Sequence, residues 1–191
     1  YGMRLRVYKS PTPWSAYTTY YYHYKSFVFS KDKVYFFQFA ENYISSGRGG
    51  NSRLWGIGNS SLQSNQASMS NGRPFLIKYT SDNDLTPSIY YYNKETAQTN
   101  AVSSPYKVMG YGTNNGSFYS VILDLKVGKI KLYARPSSKG GSYSNGIVTF
   151  NQATADDTYK IFETDIDVRE DYSLITAIQV TSWADSTIQH Y

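Results

Sequence analysis

Hydrophobic and polar positions alternate with a period of two along most of this chain, and the alternating runs end on Gly, Pro, Asn, Asp or Ser. Successive side chains leave a strand on opposite sides, so this pattern belongs to strands with one buried and one wet face. It predicts strands at 4–8, 18–29 (broken near Lys25), 33–39, 53–58, 74–80, 88–93 and 106–111. The series continues at 117–125, 129–134, 146–150, 159–168 and 172–181. No stretch shows a 3.6-residue period, so no amphipathic helix is expected.

The clearest unit runs from Ser117 to Ala134. Tyr119, Val121, Leu123 and Leu125 share one face, and after a turn carrying Gly128, so do Ile130, Leu132 and Ala134. Lys129 and Lys131 point away, which makes a hairpin with one core side and one solvent side. Tyr172, Leu174, Ile178 and Val180 mark another core-facing strand. The segments 45–52, 60–73, 94–105 and 136–145 are rich in Ser, Asn and Gly and read as long polar loops, where binding residues tend to sit. There is no internal repeat, which argues against propellers and solenoids, and no linker separates two cores. The expectation is one domain over residues 1–191: all-β, a two-layer antiparallel β-sandwich or jelly roll.

Between residues 27 and 134 the order of features resembles the concanavalin-like, laminin-G-like sandwich. A strand at 33–39 precedes the Gly-bounded Leu54-Trp55-Gly56-Ile57-Gly58, and the hairpin from Phe118 to Tyr133 follows. The resemblance lies in strand types and transfers no specific residue.

Composition narrows the function more than the fold. The 191 residues carry 40% hydrophobics and 17% charges, enough for one core. There is no Cys, which removes disulfides, thiolate zinc sites and thiol catalysis together. A net charge of +5 gives mild attraction to anionic partners, but the basic residues stand singly or in pairs, so no nucleic-acid tract exists. No apolar run reaches the roughly 18 residues of a membrane span. The first residue is Tyr and no leader pattern follows it, so the chain reads as a fragment or a processed product.

Tyrosine is the outstanding residue: 21 of 191, clustered at Tyr20, Tyr21, Tyr22 and Tyr24 and again at Tyr90, Tyr91 and Tyr92. Its flat apolar face and polar tip suit molecular recognition, and sugar rings stack their C–H faces on such planes. These tyrosines and Trp55 are the candidate ligand-binding residues, with Trp14 and Trp183 as further aromatics. Strand alternation forces at least one tyrosine of each triplet onto a non-core face. That face is a glycan platform, a subunit interface, or a set of cross-strand pairs that stabilise the sheet.

A Cys-free chain rich in Ser, Asn and Tyr also resembles the head domains of phage tail fibres and other viral receptor-binding proteins. That resemblance implies a homotrimer, a cell-surface glycan or receptor as partner, and an extracellular or virion-surface location. A carbohydrate-binding module of a secreted enzyme, or a purely structural fibre segment, fits the same composition.

For catalysis the best candidates are Glu163, Asp165 and Asp167. Alternate strand residues share a face about 6.6 Å apart, and three neighbouring acids repel, which raises at least one pKa. The segment is similar to the Glu-x-Asp-x-Glu strand of laminarinase-like jelly-roll glycosidases. That likeness implies Glu163 as nucleophile, Asp165 as its neighbour and Asp167 as acid/base, although the last position is Asp where the family uses Glu and the motif lies nearer the C-terminus. The competing reading is a solvated strand whose acids pair with Lys160 or Arg169 while Phe162, Ile166 and Val168 face the core. Calcium held by Asp165, Asp167, Glu170 and Asp171, or by Asp82 and Asp84, lacks the spacing of a known loop. His23 and His190 have no metal-ligand spacing, and Gly47-Arg48-Gly49-Gly50 opens no helix that would bind phosphate. The sequence therefore reads as a non-catalytic recognition module with no metal and no cofactor, a jelly-roll glycosidase being the enzymatic alternative.

Overall fold

A computed structural model describes residues 3–7, 18–24, 29–43, 52–59, 69–80, 86–106, 118–144, 147–151, 156–180 and 186–190. Its strands are β1 (Met3–Val7), β2 (Thr18–Tyr24), β3 (Val34–Tyr43), β4 (Ser52–Gly58), β5 (Phe75–Thr80), β6 (Ser88–Asn93) and β7 (Gln98–Ser103). They continue as β8 (Phe118–Asp124), β9 (Lys129–Arg135), β10 (Gly141–Ser144), β11 (Ile147–Phe150), β12 (Lys160–Asp165), β13 (Ser173–Val180) and β14 (Ser186–His190). The only helical pieces among the described residues are one turn, α1 (Ser137–Gly140), and a short 3-10 turn at Asp157–Tyr159.

Two six-stranded sheets form, ordered β1-β14-β3-β8-β9-β12 and β2-β13-β4-β5-β6-β7, with β10-β11 as a separate hairpin. Every pairing is antiparallel. The all-β sandwich expected from the alternation is the architecture observed.

The core lies between the sheets because alternation sends the large apolar side chains there. One sheet contributes Tyr119, Val121, Leu123, Ile130, Leu132, Ala134 and Phe162; the other contributes Trp55, Ile57, Phe75, Ile77 and Ile89. Ala40 and Phe118 point out of the first sheet, where Val148 and Phe150 of the β10–β11 hairpin cover them. On the outside of the second sheet, Met69, Leu76 and Ile175 form a smaller buried cluster.

Several boundaries differ from the sequence reading. The expected loop at 94–105 is a tight hairpin: residues 98–103 pair with β6 as β7. Their polar sequence hid this, because a strand at the end of its sheet order needs few apolar contacts, and Val102 makes the contact with the core. The expected loop at 136–145 holds α1 and β10, and β14 carried no recognised signal. The predicted strand at 159–168 stops at Asp165, with a register shift between Lys160 and Phe162. Most of the predicted strand at 106–111, and most of the loops at 45–52 and 60–73, lie outside the described residues.

Candidate ligand-binding cleft

Two hairpin turns built to one plan form the walls of a cleft at one end of the sandwich. In the β8–β9 turn the Asp124 carboxylate accepts hydrogen bonds from the backbone N–H of Lys126 and Val127, at 3.0 and 3.3 Å. In the β6–β7 turn the Asn93 side-chain oxygen accepts from Glu95 and Thr96, at 3.0 and 3.1 Å. Asp and Asn suit this place because a short side-chain acceptor mimics a further backbone turn. Four residues on, each turn needs a left-handed backbone: Gly128 has φ 68°, and Ala97 has φ 53°. Glycine adopts that region freely, whereas alanine is strained there. Ala97→Gly should therefore raise stability by up to about 1 kcal/mol, read as a higher denaturation midpoint; a fall would show that the strain is not present.

The third wall is the chain leaving β12. Ile166 donates its N–H to the Gly128 carbonyl at 2.8 Å, which ties this segment to the β8–β9 turn. The open cleft between these walls has a volume of about 510 Å³ and is lined by Lys94, Glu95, Val127, Gly128, Asp165, Ile166 and Val168. An adjoining polar recess of about 170 Å³ shares Lys94, Glu95 and Asp165 and adds Asn93, Lys129, Glu163 and Thr164. Val127 and Val168 are 64% and 47% exposed, so the rim presents apolar surface beside ionic groups.

Of the three acids singled out in the sequence, Glu163 and Asp165 line this space and Asp167 lies behind Lys94, and each is paired with lysine. Lys129 Nζ sits 2.7 Å from Asp165 Oδ1, and Lys94 Nζ sits 2.8 Å from Asp167 Oδ1. Glu163 Oε2 is shared by Lys160 at 3.2 Å and Lys131 at 3.4 Å. The register explains this ladder: Glu163 stands opposite Lys131 and Asp165 opposite Lys129 on β9. Asp167 lies past the strand's end and is reached by Lys94 from the β6–β7 turn of the other sheet.

The titration behaviour follows. The Lys160 ammonium, then Lys131, holds the Glu163 carboxyl below its usual value. Asp167 raises Lys94, Asp165 raises Lys129, and Glu163 followed by Asp157 raises Lys160. The expectation that crowding raises a carboxyl pKa fails at Glu163, because interleaved lysines convert repulsion into pairing.

The calcium candidates are likewise engaged. Besides Asp165 and Asp167, Asp171 takes two bonds from Arg169, at 2.7 and 2.6 Å, and one from Asn59 Nδ2 at 2.9 Å. Glu170 faces the backbone N–H of Lys31 at 3.4 Å. Among the described residues no three acids or histidines converge on a metal position. Asp82 and Asp84 lie outside the described residues.

Asp171 is held well below the usual carboxylate range by Arg169 and Asn59. A carboxyl depressed by folding contributes stability that is complete above its unfolded pKa and lost as pH falls through the folded one. The urea midpoint should therefore stay flat from pH 8 to 5 and drop below about pH 4, where unfolded carboxylates protonate. A drop already between pH 7 and 5 would mean that these pairs do not form.

The aromatic candidates separate by face. Trp55 is a core ring, edge-on to Phe39 and Phe75, so it is removed from any surface platform. Alternation is the reason: Trp55 and Ile57 turn inward while Gly56 and Gly58 turn outward. Tyr91 turns inward and stacks on Phe162 at 4.5 Å and 5°, although it stays half-buried like its neighbours. Tyr90 and Tyr92 are half-buried on the outer face, against the Met69, Leu76 and Ile175 cluster. Tyr20, Tyr21, Tyr22 and Tyr24 lie on β2, whose backbone pairs with β13 so that Tyr22 stands opposite Thr176 and Tyr24 opposite Leu174. His23 and His190 belong to different sheets. Trp14, Trp183 and 47–50 lie outside the described residues.

Sequence reasoning missed Lys94, Glu95, Val127 and Val168 as cleft residues. Val168 was expected on the core side, but alternation ends with β12 at Asp165, and the side chain reaches solvent. The signal available was the pair of Asx turns, each followed four residues later by a small residue.

No protein-family model matches this chain, and no curated protein matches its sequence. Among solved structures it is similar to the SPRY domain of human HERC1, with 10% identity, 92% of this chain and 77% of that one covered, and a TM-score of 0.34. It is also similar to the lectin UEA-II complexed with galactose, with 7% identity, coverage of 99% and 86%, and a TM-score of 0.41. Lectin II from Ulex europaeus gives 8% identity, coverage of 98% and 97%, and a TM-score of 0.31. Among the described residues no helix is long and apolar enough to cross a membrane.

Proposed function

We propose that this domain is a non-catalytic glycan-binding module whose ligand seats in the end cleft. The observation that carries this reading is the cleft itself: about 510 Å³, with an apolar rim at Val127 and Val168 beside the ionic groups of Lys94, Glu95 and Asp165. A sugar has matching chemistry, with C–H patches for the apolar rim and hydroxyls that donate to carboxylates and accept from ammonium groups. Half-buried Tyr90 and Tyr92 lie on the strand that leads into the Asn93 turn and offer a second, flatter contact.

In its finer form the proposal is a receptor-binding head of a viral or phage fibre, extracellular or on the virion surface. It would be a homotrimer whose weak sites add by avidity. Composition supports this form. Light scattering at several concentrations should then give a trimer, and a constant 21.7 kDa monomer would remove the fibre-head form in favour of a monomeric carbohydrate-binding module.

A glycan array, run beside hydrolysis assays on glucan and galactan, tests the main reading. Retention without cleavage is expected, and Lys94→Ala with Val168→Asp should weaken retention on the order of tenfold or more. Absence of any retained glycan would sink the proposal. Release of sugar by the wild type but not by Glu163→Gln would replace it with the glycosidase reading.

A further inference from the structure

Building on the glycan-binding reading, we infer that the cleft selects uncharged glycans and excludes acidic ones. The chain as a whole points the other way: with a net charge of +5 it attracts anions such as sialylated or sulfated sugars. The cleft reverses that sign. Around the polar recess stand Lys94 and Lys129 against Glu95, Glu163 and Asp165, two cations and three carboxylates with a net formal charge of −1. Both cations are already committed, Lys129 to Asp165 at 2.7 Å and Lys94 to Asp167 at 2.8 Å. Behind them Lys131 and Lys160 are committed to Glu163.

An incoming carboxylate or sulfate could share a lysine's remaining N–H groups, as Lys160 serves both Asp157 and Glu163. It would then lie beside the carboxylate already paired with that lysine, so like charges would face each other at close range. A neutral hydroxyl has no such conflict. It can donate to a carboxylate oxygen while accepting from the neighbouring ammonium, which leaves the ion pair in place and adds charge-assisted hydrogen bonds. A ladder of paired charges is thus a surface of donors and acceptors with little net field, suited to a polyhydroxylated ligand. Glu95 supplies the excess negative charge: it is exposed on the β6–β7 turn and acts on Lys129 only at a distance, and none of the ion pairs found among the described residues involves it.

The test compares matched glycans, galactose-, glucose- and mannose-terminated oligosaccharides with their sialylated or sulfated counterparts, on an array and by calorimetry at 50 and 300 mM NaCl. Neutral forms should bind, capping with sialic acid should weaken binding on the order of tenfold, and affinity for the neutral form should change less than about twofold with salt. Glu95→Lys, a change on an exposed turn, should recover binding of the sialylated form. Preferential, salt-sensitive binding of sialylated or sulfated glycans by the wild type would overturn the inference and leave the glycan-binding reading standing. Binding of neutral glycans that is indifferent to Lys94→Ala and Val168→Asp would place the ligand elsewhere and also overturn it. Binding of no glycan of either kind would overturn the inference and the reading together.

Discussion

Trp55→Ala is expected to destabilise the domain by about 3–5 kcal/mol, a loss large enough to unfold a domain of ordinary stability. The indole is 6% exposed and fills the centre of the sandwich between Phe39, Phe75 and Tyr119. Its truncation removes apolar contacts from both sheets and leaves a cavity that a sheet packed on both sides cannot collapse into. Trp55→Phe should restore much of the loss, because the indole N–H finds no acceptor among the described residues and costs nothing to delete. Urea denaturation followed by tyrosine fluorescence would measure both variants. A stable Trp55→Ala protein with impaired ligand binding would reinstate this ring as a recognition residue.

The second large effect separates two neighbours. Phe162→Ala should cost about 3–5 kcal/mol, since this ring is 5% exposed, stacks on Tyr91 and meets Phe75 across the sheets. Glu163→Gln, one residue on and on the opposite face, should cost under about 1 kcal/mol, because its partners Lys160 and Lys131 are solvent-accessible pairs. The contrast checks the facing of β12 directly. Comparable costs at both positions would mean that the register of Glu163 against Lys131 and Asp165 against Lys129 is wrong. A hydrolytic activity lost in Glu163→Gln would mean that the acid row is chemical machinery after all.

What the sequence determined by itself was the strand content and the facing of the central hairpin. Alternation is a local property, readable wherever one face is buried and the other wet, so Tyr119, Val121, Leu123, Ile130 and Leu132 were placed correctly in advance. The same rule required a split among Tyr90, Tyr91 and Tyr92, which the structure resolves with Tyr91 inside and its neighbours out. It misread β7 as part of a polar loop, because an end strand packs on few neighbours and tolerates polar residues, and it ran β12 on to residue 168, because the loss of pairing after Asp165 left no compositional mark.

Only the tertiary structure decided the site. Lys94 and Asp167 are far apart in sequence, one in the β6–β7 turn and one just past β12 of the other sheet, yet their ion pair crosses the end of the sandwich. Glu163 and Asp165 read as a repelling row until β9 was laid beside them with Lys131 and Lys129 in register. Pairing between strands is a long-range choice, set by the packing of two whole sheets. The same acids therefore mean crowding or neutrality depending on which strand lies alongside.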